Sequence, residues 1–440
     1  MNAAAASHED VDAALQSAER RFAAANPLSA ARYEHACRVF PGGHTRQTLY
    51  YAPFPLTIVR GAGARVTDLD GHEYLNTIGD YAAGVYGHTC APIQRAVREA
   101  LQDGVFLSGV NIREAELAQL MTSRIPSMQL VRFCNSGSEA CLFSVLAAQH
   151  VTKRRKLLVF NGCYHGGFMI YGAVDPPLSV PFELVKATFN DIEGTRAALR
   201  AAADGLAAVI VEPVMGSGGC IPATHAFLSM LREETRQHGI VLIFDEVGSS
   251  RLAPGGIQGL LGIVPDLTTL GKFWGGGFNF GAFGGSREIM KHFDTRGGGL
   301  LSQGGTFNNN ILTMTAGLTG VRDVYTPEAC VKLNNLGDGL RDAINALGAS
   351  KGVALQATGS GAMMNTHWRR GPITHPGVIQ TPTDPLRRLF QLEMILRGFY
   401  ASQRGMITLS LPYTDQDIAN FLYAIRDYVA EYGALIEACQ

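Results

Sequence analysis

Lys272 has the surroundings that suggest chemistry most directly. It follows the short, largely apolar segment 267–271, and the glycine triplet Gly275–Gly277 comes soon after it. A lysine amine attacks a carbonyl only as the free base, and an apolar setting lowers the lysine pKa because burial disfavours the charged form. Lys272 is therefore a candidate for forming a Schiff base with a flat carbonyl compound, although a solvated loop lysine would fit the same pattern.

Asp245 closes the apolar run 239–244, which is typical of a buried parallel strand. In open α/β sheets functional residues lie at the carboxyl ends of strands, while a helix N-cap is the plainer role for such an aspartate. Pyridoxal phosphate is an electron sink only while its ring nitrogen stays protonated, which requires a carboxylate beside that nitrogen. Lys272 and Asp245 together predict an enzyme that uses pyridoxal phosphate.

A phosphate site is suggested by segment 135–140, where a predicted strand leads into a predicted helix. Ser136, Gly137 and Ser138 would lie at the helix N-terminus, where unpaired backbone N–H groups and the positive end of the helix dipole favour an anion. The spacing from Ser136 to Glu139 also fits a capping box, which would stabilise any helix. The residues alone leave both interpretations open.

Two further side chains are candidates for the faces of a planar cofactor. Tyr164 comes shortly after the predicted strand 156–160, and an aromatic ring there can stack on one face. Val247 lies two residues beyond Asp245 and would point the same way, so that it could cover the other face. A core tyrosine and a core valine are the alternatives.

The elements that position these residues are predicted from apolar runs at βα spacing between about 90 and 320. The strand candidates are 130–134, 156–160, 207–211, 240–244 and 267–270, and the helix candidates between them are 138–152, 195–203 and 225–238. The fold class is therefore α/β with a mostly parallel, helix-covered sheet.

The two flanks differ from this central part. Residues 1–80 contain a helical, alanine-rich start and a predicted hairpin turning on Asp70-Gly71, and residues 326–440 have an α+β pattern. We expect the two flanks to form one smaller α+β domain beside a large domain at 81–325.

Composition limits the classes of partner. A formal net charge of −1 over 440 residues offers no electrostatic basis for binding nucleic acid or an anionic membrane, and no apolar stretch is long enough to span a bilayer. The eight cysteines are scattered without CxxC or His/Cys spacing, which predicts reduced thiols and no metal site. Together with the absence of a basic-then-apolar leader pattern, this predicts a cytoplasmic protein.

Six short motifs occur in an order that is similar to the class III aminotransferases, which belong to the fold-type I pyridoxal phosphate enzymes. The motifs are Asn135–Ala140, Tyr164–Gly166, Val211–Pro213, Phe244–Val247, Thr269–Lys272 and Gly305–Phe307. Within that class the chain resembles the β-phenylalanine aminotransferases, relatives of glutamate-1-semialdehyde aminomutase. The segments that carry this closer likeness are Pro41–Arg46, Tyr51–Leu56, Asp245–Leu252 and Thr306–Asn310.

The resemblance implies a role for each matching residue. Lys272 would hold the cofactor as a Schiff base and later move the proton between substrate and cofactor, while Asp245 would pair with the pyridinium nitrogen. Tyr164 would stack on the ring, and Glu212 would support the site as a second acid. The phosphate, bound at the glycine and serine of the helix start, would also contact Thr306 of the partner subunit, so that a homodimer would be needed for a complete site.

Two arginines are expected to select the substrate. In the β-phenylalanine enzymes one arginine lies in the loop that matches Arg46 and another in the loop that matches Arg404. The resemblance implies that Arg46 binds the β-amino acid carboxylate and Arg404 that of a keto acid, since a guanidinium holds a carboxylate through two parallel hydrogen bonds. Tyr50 and Phe54 are candidate contacts for an aryl side chain. An ordinary ion pair is the alternative for either arginine.

The expected function is thus a ping-pong transaminase that moves the amino group of a β-amino acid, aromatic like β-phenylalanine, to an α-keto acid such as 2-oxoglutarate or pyruvate. An aminomutase acting on a γ-amino aldehyde such as glutamate 1-semialdehyde, and an amino-acid racemase, are enzyme alternatives. A non-catalytic binding protein would be expected to have lost Lys272, Asp245 or the phosphate site.

Four positions depart from the usual family pattern. Met215 stands where class III enzymes commonly have a glutamine, Cys90 lies in a changed Gly-His-x-His-Pro motif, and Cys141 replaces a frequent asparagine. Gly248 stands where the β-phenylalanine enzymes have a larger residue. Because methionine cannot donate the glutamine's hydrogen bond, the cofactor surroundings and pocket volume are expected to differ from those relatives.

Overall fold

The computed structural model describes residues 3–298, 300–379, 381 and 384–440. The strands are β1 (Ile58–Ala62), β2 (Arg65–Asp68), β3 (Glu73–Asn76), β4 (Leu130–Cys134), β5 (Lys156–Phe160), β6 (Cys163–Tyr164), β7 (Ile170–Tyr171), β8 (Leu184–Ala187), β9 (Leu206–Val211), β10 (Val214–Met215), β11 (Ile221–Pro222), β12 (Val241–Asp245), β13 (Leu267–Gly271), β14 (Gly281–Gly285), β15 (Gln356–Ser360), β16 (Met363–His367), β17 (Phe399–Tyr400) and β18 (Met406–Thr408). The α-helices are α1 (Ala3–Ala25), α2 (Pro27–Ala36), α3 (Ala91–Ala100), α4 (Ile112–Arg124), α5 (Gly137–Thr152), α6 (Ile192–Ala202), α7 (His225–His238), α8 (Gly256–Leu261), α9 (Arg287–Met290), α10 (Ile311–Thr319), α11 (Pro327–Lys351), α12 (Pro385–Leu396) and α13 (Asp415–Ala438).

A seven-stranded sheet with the order β4-β14-β13-β12-β9-β5-β8 forms the centre of the molecule. β14 runs antiparallel to its two neighbours, and the other neighbouring strands are parallel. β9 and β12 are buried along their whole length, with α5 and α7 packed against them, which explains their continuous apolar sequences. The predicted α/β fold with a mostly parallel sheet is confirmed.

The strand predictions differ from the structure mainly at β8 and β14, which they omit. β14 has the sequence Gly-Ala-Phe-Gly-Gly, which lacks the β-branched residues typical of strands. A Cβ atom at Gly281 would lie 2.0 Å from the Ser136 carbonyl oxygen, and one at Gly285 would lie 2.1 Å from that of Asp266. These glycines are therefore required by close backbone contacts, which a sequence pattern does not reveal.

The two ends of the chain share a second sheet with the order β1-β2-β3-β17. Leu75 in β3 pairs with Phe399 in β17, and the predicted hairpin at Asp70-Gly71 joins β2 to β3. α1 packs along α12, where Arg21 forms an ion pair with the buried carboxylate of Glu393. The N-terminal and C-terminal flanks thus combine as expected, while the domain borders at residues 80 and 325 stay predictions.

A three-stranded antiparallel sheet, β15-β16-β18, carries the C-terminal residues that face the large domain. α11 covers β15, and α13 packs against α11 and α12. Among the described residues, no helix combines the length and the apolar character that crossing a membrane requires.

Candidate active site

Lys272 and Asp245 lie at the carboxyl ends of neighbouring strands. β12 ends at Asp245, β13 ends one residue before Lys272, and Asp245 is paired in register with Thr269. Burial lowers the pKa of the Lys272 amine, although the charges of Asp245 and Glu212 act in the opposite direction. Lys272 also has a φ of +53°, and such a conformation in a non-glycine residue is often found at functional sites. The structure therefore brings together the two residues on which the cofactor prediction rests.

The carboxylate of Asp245 is buried and surrounded by donors. His165 Nδ1 lies 2.8 Å from Oδ2, and the Val247 amide and the Thr269 hydroxyl donate to Oδ1 at 3.0 and 3.2 Å. Cys141 Sγ lies 3.4 Å from Oδ2. Burial alone would raise the pKa of Asp245, but the hydrogen bond and charge of His165, helped by the Val247 amide, hold it below its usual value. Asp245 is thus ionised and held in one orientation.

His165, which contacts Asp245, is not among the site residues predicted from the sequence. It is buried, and burial lowers its pKa, but the contacts with Cys163 and Asp245 outweigh this and raise the pKa well above the ordinary range. Ligand atoms of Cys141, His165 and Asp245 lie within 4.8 Å of one another. The 2.8 Å separation of His165 Nδ1 and Asp245 Oδ2 is that of a direct hydrogen bond, whereas the buried His165 Nε2 has no hydrogen-bond partner among the described residues.

The helix start predicted to bind phosphate is both a capped N-terminus and part of the cavity. Ser136 caps α5, its Oγ accepting the Glu139 amide at 3.1 Å, so the capping alternative is present. Gly137 and Ser138 follow as the first helical residues, and Ser138 Oγ accepts the Gly167 amide at 3.2 Å. Their own N–H groups precede the first helical hydrogen bonds, which leaves donors free for an anion.

Glycines allow close packing around this helix start. A Cβ at Gly137 would lie 2.8 Å from Val247 Cγ1, and a Cβ at Gly271 would lie 3.2 Å from the same methyl group. A Cβ at Gly166 would lie 2.2 Å from Ser138 Oγ. Glycine is therefore needed at these positions for Val247 and the helix start to come this close to the end of β13.

Glu212 supports the loop that carries Tyr164. Its carboxylate accepts the Tyr164 amide at 2.9 Å and the Gly216 amide at 3.0 Å. Burial raises the pKa of Glu212 to about 7, against the lowering effect of His165 and these amides. The Tyr164 ring is 39% exposed and faces the cavity.

A cavity of about 1620 Å³ joins these groups. The predicted site residues that line it are Arg46, Ser136, Gly137, Ser138, Tyr164, Glu212, Asp245, Val247, Lys272 and Arg404. The two arginines approach from the smaller domain, and both lower the pKa of Tyr164, which burial raises. Arg46 is exposed and forms an ion pair with Asp80 Oδ1 at 3.0 Å.

Three predicted residues are not brought to the cavity of their own chain. Phe54 is buried in the core, with its ring 5.2 Å from that of Phe22. Tyr50 packs on His44 at 5.4 Å between ring centroids and lies outside the cavity lining. Tyr50 and Phe54 are near Arg46 in sequence, but neither lines the cavity that Arg46 lines. Thr306 is exposed and also lies away from its own chain's cavity.

The four departures from the family pattern have different surroundings. Met215 is fully buried and does not line the cavity, whereas Cys90 and Cys141 do. A Cβ at Gly248 would lie 3.3 Å from Lys272 Nζ, so a larger residue there would crowd the lysine amine. The small residue at 248 widens the cavity beside Lys272.

The residues present fit pyridoxal phosphate by their chemistry. The buried, ionised carboxylate of Asp245 ends β12, and Lys272, with its lowered pKa, follows the neighbouring strand β13. The N-terminus of α5 offers backbone N–H donors to an anion. These three groups match the ring nitrogen, the carbonyl and the phosphate of that cofactor.

Comparisons with known proteins agree with this fit. The chain matches the family described as "Aminotransferase class-III" over residues 49–380. It is 46% identical to the β-phenylalanine transaminase of Variovorax paradoxus over 98% of this chain and 99% of that protein. It is 33% identical to the glutamate-1-semialdehyde 2,1-aminomutase of Sorangium cellulosum over 92% of this chain and 96% of that one.

Solved structures give the same result. The β-phenylalanine aminotransferase from Variovorax paradoxus superposes with a TM-score of 0.95 at 46% identity and covers 97% of this chain and 99% of its own. A transaminase with PLP bound superposes with a TM-score of 0.84 at 30% identity, covering 93% and 98% of the two chains.

Proposed function

Since the chain belongs to the class III aminotransferases, which use pyridoxal phosphate, we propose that it transfers the amino group of an aromatic β-amino acid such as β-phenylalanine to an α-keto acid such as 2-oxoglutarate or pyruvate. The observation that carries the proposal is the presence of Arg46 and Arg404 in the cavity that contains Lys272. The 46% identity to a β-phenylalanine transaminase over nearly the whole chain supports the choice of donor.

The roles of the chain's own residues follow from their surroundings. Pyridoxal phosphate, when bound, supplies the carbonyl that takes the amine and the ring that stabilises negative charge on the substrate carbon. Lys272, whose pKa is lowered by burial, would take up and return a proton at that carbon. Asp245, which His165 contacts at Oδ2, would hold the ring nitrogen protonated, and Tyr164 and Val247, which line the cavity, would cover the ring's two faces.

Arg46 and Arg404 give the cavity its preference for carboxylates. We assign Arg46 to the carboxylate of the β-amino acid and Arg404 to that of the keto acid. The Arg404 backbone is fixed, because its carbonyl accepts Asn365 Nδ2 at 2.9 Å and also a hydrogen bond from the buried Arg387. Two cations in one cavity suit a ping-pong reaction in which two different acids bind in turn.

The arginine roles predict separate kinetic effects. Arg46→Ala is expected to raise KM for the β-amino acid and Arg404→Ala to raise KM for the keto acid, each roughly 10- to 100-fold, because a charge-assisted hydrogen-bonded contact is lost. Initial rates with each substrate varied in turn would show it. Arg60→Ala, an exposed arginine outside the cavity, is the matched control and is expected to keep both values. An unchanged donor KM in Arg46→Ala would remove Arg46 from the site.

A panel of amino donors tests the function itself. Purified enzyme with 2-oxoglutarate or pyruvate is offered α-amino acids, β-amino acids and simple amines, and we expect aromatic β-amino acids to react fastest. If only α-amino acids or simple amines react, the β-amino acid assignment is wrong. Isomerisation of glutamate 1-semialdehyde, or loss of substrate chirality without any keto acid, would instead identify an aminomutase or a racemase.

We also propose that the enzyme is a cytoplasmic homodimer in which Thr306 of one protomer binds phosphate in its partner. Phe106, Val110 and Ile112 are 68%, 92% and 76% exposed. The Phe106 ring lies 5.7 Å from that of Phe307, the neighbour of Thr306. Exposed apolar residues of this size are typical of an interface, and one of them contacts the neighbour of the residue that its own chain leaves outside the cavity.

Mixed dimers test whether Thr306 acts in the site of its own chain or in the site of the partner protomer. Thr306→Glu and Lys272→Ala are each expected to be inactive, because one blocks the phosphate and the other lacks the amine. Co-expression should restore about a quarter of the wild-type activity, since half of the dimers are mixed and each contains one intact site. No recovery would mean that Thr306 acts in its own chain's site, and an active Thr306→Glu protein would mean that Thr306 has no role.

A further inference from the structure

The turn 79–82, between β3 and α3, has a conformation that its sequence does not favour. Gly79, Asp80, Tyr81 and Ala82 have φ values of +50°, +48°, +53° and +79°. L-amino acids visit this left-handed region singly rather than in succession, and they keep it only where the surrounding structure fixes the backbone. We therefore looked for what fixes the turn and for what the turn presents.

Buried groups behind the turn fix it. Thr408 Oγ1 donates to the Ile78 carbonyl at 2.6 Å, and the fully buried Arg251 donates to the Ala82 carbonyl at 3.3 Å. The Gly84 amide closes the turn on the Gly79 carbonyl at 2.9 Å. A Cβ at Gly79 would lie 2.3 Å from Thr408 Oγ1, so glycine is required there.

The turn presents the Tyr81 hydroxyl to both arginine loops. This hydroxyl donates to the Thr48 carbonyl at 2.7 Å, in the loop of Arg46, and lies 3.2 Å from the buried Ser402 Oγ. Ser402 Oγ in turn accepts the Arg404 amide at 3.1 Å. The hydrogen-bond roles are consistent: Tyr81 gives its proton to Thr48, Ser402 gives its proton to Tyr81, and Ser402 accepts from Arg404.

We propose that Tyr81 is a positioning residue that sets the distance between Arg46 and Arg404 and so determines how well the enzyme binds carboxylate substrates. The inference rests on the proposed function, in which these arginines hold the two carboxylates. Asp80, beside Tyr81 in the same turn, forms an ion pair with the Arg46 guanidinium at 3.0 Å. The turn therefore contacts the Arg46 loop at two points, the Thr48 carbonyl and the Arg46 side chain.

Tyr81→Phe tests the proposal, because it removes the hydroxyl and keeps the ring. We expect KM to rise about five-fold for both β-phenylalanine and 2-oxoglutarate, as for the loss of a net hydrogen bond, with kcat within about two-fold of wild type. The inhibition constant of 3-phenylpropanoate, which has the carboxylate but no amine, should rise by the same factor. Tyr423→Phe, on an exposed tyrosine, is the matched control and should change none of these values.

Ser402→Ala gives a directional second test, because it breaks the link on the Arg404 side alone. We expect KM to rise for 2-oxoglutarate and to stay near wild type for β-phenylalanine. Unchanged KM values in Tyr81→Phe, or equal effects of Ser402→Ala on both substrates, would overturn the proposal. A general fall in kcat with weaker cofactor binding would also overturn it, since that is what a merely structural role produces.

The proposed function and the positioning role of Tyr81 can fail independently of each other. If Arg46→Ala and Arg404→Ala leave both KM values unchanged, the carboxylate assignment is wrong whatever Tyr81→Phe shows. If they raise KM as expected and Tyr81→Phe does not, only the positioning role is lost.

Discussion

Replacing Lys272 with alanine is expected to lower kcat/KM for transamination by at least about 10⁴-fold, because general-base catalysis alone contributes up to this factor. The variant also loses the amine that would hold the cofactor carbonyl. Lys272 lines the cavity with Asp245 and is the one lysine among the described residues that line it, so no other lysine amine is placed to replace it. Single-turnover measurements with saturating donor would separate the loss of proton transfer from weaker cofactor binding.

Lys291→Ala is the matched control for that measurement. Lys291 is exposed and pairs with Glu288 on the surface, so its removal is expected to leave the rate unchanged. The Lys272→Ala protein should keep its circular dichroism spectrum and lose pyridoxal phosphate on dialysis, which the wild type retains. A Lys272→Ala rate within ten-fold of wild type would contradict the assigned role.

Asp245→Asn is expected to lower kcat by about 10²- to 10⁴-fold while the protein still binds pyridoxal phosphate. Asparagine cannot keep the ring nitrogen protonated, because it lacks the negative charge that favours the cation. The same substitution leaves His165 charged and buried beside a neutral amide, so the pKa of His165 should fall. Imidazole NMR signals in the cofactor-free protein would report that fall directly.

Asp342→Asn is the control for the kcat and histidine measurements, since Asp342 is exposed, pairs with Arg341 and lies outside the cavity lining. It should change neither kcat nor the histidine titration. If Asp245→Asn keeps wild-type kcat, the carboxylate does not act on the ring nitrogen. If kcat falls but the His165 pKa is unchanged, the link between His165 and Asp245 is wrong and the catalytic assignment stands.

The residues at strand ends could be predicted because their signal is local. Lys272 and Asp245 each follow an apolar run, and parallel strands bring their carboxyl ends to one edge of the sheet. The partner of Asp245 could not be predicted in this way. His165 and Asp245 are 80 residues apart, and only the packed sheet brings their side chains into contact.

Conformation and burial account for the other differences. The segment Asp80-Tyr81-Ala82 contains no glycine, so its amino-acid sequence does not indicate the left-handed backbone conformation. Phe54 is near Arg46 in sequence, but it packs against Phe22 in the hydrophobic core. Of Arg46 and Phe54, therefore, only Arg46 lines the cavity.

The pairing of β17 with β3 has a consequence for the order in which the enzyme assembles during synthesis. The contact between Thr408 and Ile78 joins residues that are 330 positions apart, and it fixes the turn that carries Tyr81. β3 therefore lacks its parallel partner strand in a nascent chain until β17 has been synthesised. All strands of the central sheet precede β17 in the chain, so the strand ends that carry Asp245 and Lys272 can form before the segment that carries Arg404 joins the cavity.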